Sequence, residues 1–88
     1  MDFRWNHWNR DHLGEHGVDP AEAARVVLLA RRPFPRQIGE DKYIVWGHGS
    51  GGRMLQVIYL VEDDGTFFII HARPLTETEK RRWRRIFR

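Results

Sequence analysis

The sequence predicts an α+β domain in which helices cover a small antiparallel sheet of three or four strands, in the order β-α-α-β-β-β-α. Three observations predict it. Helix-start signals stand at Asp19 and Thr76, β-branched and aromatic runs fill 42–46, 53–61 and 66–73, and the connections GHGSGG and EDDG separate those runs as hairpin turns do.

The first element expected is a short strand over residues 2–5, DFRW, which alternates polar and apolar. Trp5, Trp8, His12 and His16 then recur at helical spacing, and Gly17 stands where a left-handed residue would end that helix. Asp19-Pro20-Ala21-Glu22 supplies an N-cap acid, a proline at the first helical position and a glutamate three residues after the cap. It opens a second helix running to about Arg31, with Pro33 and Pro35 beyond it. KYIVW (42–46), the run from Arg53 to Val61 and the run from Thr66 to Arg73 form an antiparallel meander, closed by Pro74. Thr76-Glu77-Thr78-Glu79 is another capping box, and the helix it begins carries Trp83, Ile86 and Phe87 on its apolar side. Trp5, Trp8, Val27, Ile44, Ile58, Phe68 and Ile70 are the core residues this pattern selects.

Eighty-eight residues make one domain, 1–88, with a small core that eleven aromatic rings help to fill. Without cysteine there is no thiol nucleophile, disulfide or thiolate metal site, and neither a signal peptide nor a membrane-spanning run is legible. A soluble, cytoplasmic protein is expected. Six positive charges and no negative ones lie in the last nine residues, so the rest of the chain is net negative although the whole carries +3. Lys80, Arg81, Arg82, Arg84 and Arg85 are therefore the candidate contacts to a polyanion such as RNA, the alternative being a solvated helix face.

Side chains alternate along a strand, so Phe67, Ile69, His71 and Arg73 are expected on one side, with Phe68, Ile70 and Ala72 beneath the helices. His71 and Arg73 would then make the exposed side polar at the strand's end. A phosphate there would also meet the N-terminus of the last helix, whose free amides carry partial positive charge. Arg53 would lie beside Arg73 only if the turn between their strands is short and unbulged. His12 and His16 share a helix face, but a third metal ligand is offered only by His48 or His71, and neither a metal nor another cofactor is expected. GHGSGGR lacks the ending of a nucleotide-binding loop, and Glu62, Asp63 and Asp64 fall in a turn where solvation is expected.

From Phe3 to about Trp83, the segments FRW, EHGVDPAEAARV, GRMLQVIY and IIHARPLTETEKRRW follow one another in an order and spacing that resemble the BrnT family of bacterial toxins, part of the RelE-like group of small ribonucleases. The chain departs from the family pattern at Glu15, where a basic residue usually precedes the His-Gly pair, and at His71, where serine often precedes Ala-Arg, so it resembles a divergent member. The resemblance implies a RelE-like fold, cleavage of messenger RNA that arrests translation, and neutralisation by a BrnA-like antitoxin.

RNA cleavage without a metal ion needs a base for the 2′-hydroxyl, a cation for the phosphorane and an acid for the leaving oxygen. Arg73 and Arg53 are the candidate cations, and His71 or His16 the candidate base or acid. A non-catalytic module that binds RNA or protein through the same basic surface is the competing expectation.

Overall fold

A computed structural model describes residues 2–88. Asn6 accepts from the Asn9 amide while the Asn9 side chain accepts from the Asn6 amide, a reciprocal cap that starts α1, His7–Glu15. Gly17, at φ 67°, turns the chain out of it. Asp19 caps α2, Pro20–Leu28, by accepting from Ala21, and this helix buries Glu22, Ala23, Val26 and Val27. It ends before the expected Arg31. The four strands β1 (Arg36–Gly39), β2 (Lys42–His48), β3 (Met54–Val61) and β4 (Phe67–Pro74) make one antiparallel sheet in sequence order, and α3, Glu77–Ile86, follows the capping box of Thr76 and Glu79.

The α+β class and the four-strand antiparallel sheet are as expected, but the strands are differently supplied, giving the order α-α-β-β-β-β-α. DFRW contributes only a single parallel bridge, Phe3 to Phe67, because the Asn6 cap turns the chain into α1 at once. The fourth strand is instead β1, four exposed residues joined to β2 through a tight turn with Asp41 at φ 55°.

Within the core, Leu13, Val18, Val26, Val27, Val45, Leu55, Val57, Tyr59, Ile69 and Ala72 pack together between α2 and one face of the sheet. Helix α1 lies along β4, an outer strand of the sheet. Of the residues the sequence selects for the core, Val27 and Phe68 are buried, Trp5, Ile44, Ile58 and Ile70 are half-buried, and Trp8 is exposed, stacked on His12 and Phe68.

A bulge in β4 explains the strand-face differences. Tyr59 stands opposite Ile69 but Ile58 stands opposite His71, so Ile70 is an extra residue and the alternation reverses across it. Ile69 and Ala72 both face α2, whereas Phe68, His71 and Arg73 face the other side. Phe68 is thus buried on the face opposite the one expected, under Trp8 and the Arg4 guanidinium, which lies 4.1 Å from its ring centroid. Arg4 also grips Glu62 through two 2.7 Å hydrogen bonds, giving that turn carboxylate a partner rather than solvent alone.

Candidate functional site

The face of the sheet turned away from α2 presents Trp46 of β2, Gln56 of β3, and His71 and Arg73 of β4, because Trp46 pairs with Gln56 and Gln56 with Arg73. The Trp46 indole donates to Gln56 Oε1 at 3.0 Å, and the Gln56 amide nitrogen lies 3.3 Å from His71 Nε2. An indole N–H can only donate, so the Gln56 oxygen must face Trp46 and its NH₂ must face His71. His71 Nε2 is therefore an acceptor here, and the ring is neutral with its proton on Nδ1. Burial pushes the His71 pKa below its ordinary value, reinforced by Arg73 and His16 and opposed by Glu79. At the C-cap of α1, the His16 ring lies edge-on at 6.0 Å between centroids. Two imidazoles from distant parts of the chain thus meet at one place.

Arg73 shares that face, but its charge is already compensated. Its guanidinium donates to both oxygens of Glu79 at 2.7 and 2.8 Å and to the Pro74 carbonyl at 3.0 Å. Glu79 also accepts from the Thr76 amide at 2.8 Å, and these donors hold its pKa down at about 2. The chain's own carboxylate occupies the position at the α3 N-terminus where the sequence leads one to expect a phosphate.

Arg53 does not join this cluster. The β4 register places Gln56, not Arg53, opposite Arg73. Arg53 reaches toward α2, donating to Glu22 at 2.7 and 3.1 Å and to the Gly17 carbonyl at 2.7 Å. Glu22 directs its carboxylate mainly to this guanidinium, which holds its pKa low. A Cβ at Gly49 would overlap that carboxylate and come within 2.7 Å of Leu55, so glycine is needed where the 49–53 loop crosses α2. Arg53→Ala should cost about 1–3 kcal/mol, because it strands a Glu22 side chain only 5% exposed. A urea midpoint equal to the parent's would show that the pair contributes nothing.

On α3, Arg81, Arg84 and Arg85 line a shallow open groove with Arg88. Their i, i+3, i+4, i+7 spacing puts them on one helical stripe, while Trp83 and Phe87 turn inward against Phe34. Lys80 is drawn to Glu77 at 3.2 Å, and Arg82 is exposed outside the groove. Among the described residues no cluster of three or more histidines and carboxylates could hold a metal ion.

Sequence reasoning missed Gln56 and Trp46. The signal for Gln56 is a lone amide inside the apolar strand MLQVIYLV, which must find a partner if buried, and it is 8% exposed.

This sheet-and-helix arrangement, one four-stranded antiparallel sheet with three helices, defines a small α+β fold. The chain is similar to a solved structure, the 1.1 Å-resolution crystal structure of the Brucella abortus ribonuclease toxin BrnT. The TM-score is 0.68 and the identity 19%, with 88% of this chain and 99% of that one covered. The likeness establishes the fold. No protein-family model and no curated protein sequence matches the chain.

Proposed function

We propose that the chain is a divergent BrnT-like toxin of a type II toxin–antitoxin pair, an endoribonuclease that cleaves messenger RNA in the cytoplasm without a metal ion and so arrests translation. The observation that carries the proposal is the meeting of His71 and His16 beside Arg73 on the sheet face turned away from α2. Imidazole titrates near neutral pH, and two of them can serve as base and acid in one reaction.

His71 is the base, since its neighbours keep it neutral. Its Nε2 lone pair is held by a Gln56 contact at the long end of the hydrogen-bond range, which a 2′-hydroxyl replaces. The 2′-oxygen loses its proton to His71 and attacks phosphorus. The P–O5′ bond breaks as His16, acting as the acid, gives the leaving oxygen a proton, yielding a 2′,3′-cyclic phosphate and a 5′-hydroxyl. Arg73 stands close enough to stabilise the phosphorane, with its charge moderated by Glu79. Arg53 is a candidate only for holding the 49–53 loop that borders α2. The arginine stripe of α3 binds the RNA backbone and is the natural contact for an acidic surface of a BrnA-like antitoxin.

One observation favours the competing reading, a module that binds without cleaving. Both expected transition-state cations are neutralised by carboxylates of the chain itself.

Purified protein in EDTA, incubated with single-stranded RNA, should produce cyclic-phosphate ends, and induced expression should halt growth as messenger RNA shortens. Intact RNA under both conditions would leave only the binding reading. RNA affinity should fall steeply with salt. Replacing Arg81, Arg84 and Arg85 by alanine should lower the log–log slope by about 2, since each phosphate contact contributes roughly 0.7 on single strands. An unchanged slope would place the RNA backbone elsewhere.

A further inference from the structure

A second feature lies two strands from His71, where the end of α2 meets β2 and α3. The end of α2, with Leu29 and Arg31, the β2 segment Trp46–His48 and Trp83 of α3 enclose a slot of about 210 Å³, roughly the volume of seven bulk waters. Its walls are aromatic. Phe34, 6% exposed, buttresses both tryptophans, at 5.8 Å from the Trp46 ring and stacked at 6.4 Å from Trp83. The polar groups sit at the rim. His48 is exposed and meets Trp83 edge-on at 5.5 Å, and the Arg31 guanidinium is parked 4.6 Å over the Phe87 ring, with no carboxylate partner among the described residues.

We infer that this slot is a nucleobase subsite, which stacks an unpaired RNA base flanking the scissile phosphate against Trp46 and Trp83 and offers its edge to His48 and Arg31. The inference rests on the RNA-directed reading above and adds to it where the substrate lies.

Three properties distinguish the slot from an apolar groove awaiting a protein side chain. Flat, rigid walls and a rim of donors suit a ring that is apolar on its faces and polar along its edge, and base–aromatic stacking tolerates any sequence because every base has a π-face. The slot is also coupled to the candidate chemistry. Trp46 donates to Gln56, and Gln56 reaches His71, so the slot wall and the base share one hydrogen-bonded chain. Finally, strands about 4.8 Å apart put β2 roughly 10 Å from β4, near enough for one strand of RNA to engage both. The cations of α3, the helix that supplies Trp83, continue the path for the backbone.

The test uses the full chain and a single-stranded 2′-O-methyl oligoribonucleotide, which cannot be cleaved. The indole N–H resonances of Trp46 and Trp83 should shift on binding while that of Trp5 stays in place. An oligonucleotide lacking the base at one position should bind about 5- to 150-fold more weakly, the range expected for losing one stacked base. Trp83→Leu should show the same loss with an unchanged salt slope, and Trp83→Phe should restore most of the affinity. If Trp83→Leu fails to fold, the resonance shifts and the abasic series decide on the parent protein alone. Salt-dependent binding without those shifts and without an abasic effect would overturn the subsite and leave the RNA reading standing. Absence of binding even at low salt would overturn both. Loss of antitoxin binding in Trp83→Leu with RNA affinity intact would assign the slot to a protein partner instead.

Discussion

His71→Ala is expected to lower the rate of RNA cleavage by about 10² to 10⁴, the usual contribution of a positioned general base. The effect should be chemical rather than structural. His71 is half-buried, and its substitution removes one long contact to Gln56 while leaving that side chain its bond from Trp46. The pH profile carries the sharper test. The base works only when unprotonated, so the acid-side limb of kcat/KM should rise with pH. Burial and the neighbouring Arg73 and His16 lower the pKa against the opposing pull of Glu79, so the midpoint of that rise should fall below 6.5. A midpoint above 6.5, or a His71→Ala variant as active as the parent, would remove His71 from the chemistry.

The second large effect is on stability in acid. Glu79 loses its proton far more readily in the folded protein, its pKa falling from 4.5 to about 2 under the pull of Arg73 and the Thr76 amide. A group depressed in this way stabilises the fold fully above its unfolded value, and the contribution is lost as pH falls from about 4.5 toward 2. A tenfold change in acidity is worth about 1.4 kcal/mol, so the contribution is on the order of 3 kcal/mol. Glu22 and Glu62 are depressed as well and lose stability in the same direction, so the comparison must be with Glu79→Gln. Glutamine can still complete the capping box, and the substitution removes only the charge. Urea midpoints measured from pH 7 to pH 2.5 should converge for parent and variant at the acid end and separate near neutrality. Parallel curves would mean that the Arg73 pair contributes nothing. The same variant frees the Arg73 guanidinium, so it should bind RNA more tightly than the parent.

That pair also marks the limit of what could be read in advance. Thr76 and Glu79 announce the start of α3, and Asp19 and Pro20 that of α2, because a cap is made by residues within a few positions of each other. The arginine stripe was legible for the same reason, its spacing being a property of one helix. The clustering of His71 with Arg73 on a polar strand end was also legible, although the alternation used to place them fails one residue earlier, at Ile70. The bulge depends on how β4 seats against β3 and has no local signature in FFIIHAR. The strand at Arg36–Gly39 escaped notice since its four residues are all exposed and show no alternation.

The sequence by itself determined the helices, three of the four strands, the basic stripe and the presence of an imidazole and a guanidinium at the end of β4. Only the tertiary structure decided which charges remain available. It brought His16 to His71, gave Gln56 the task of orienting that ring, closed Arg73 on Glu79, and turned Arg53 away to Glu22, 31 residues distant. Propensity and capping are fixed by neighbours along the chain. The partner of a charge is fixed by packing, because a half-buried guanidinium must be satisfied by whatever carboxylate the fold brings within reach.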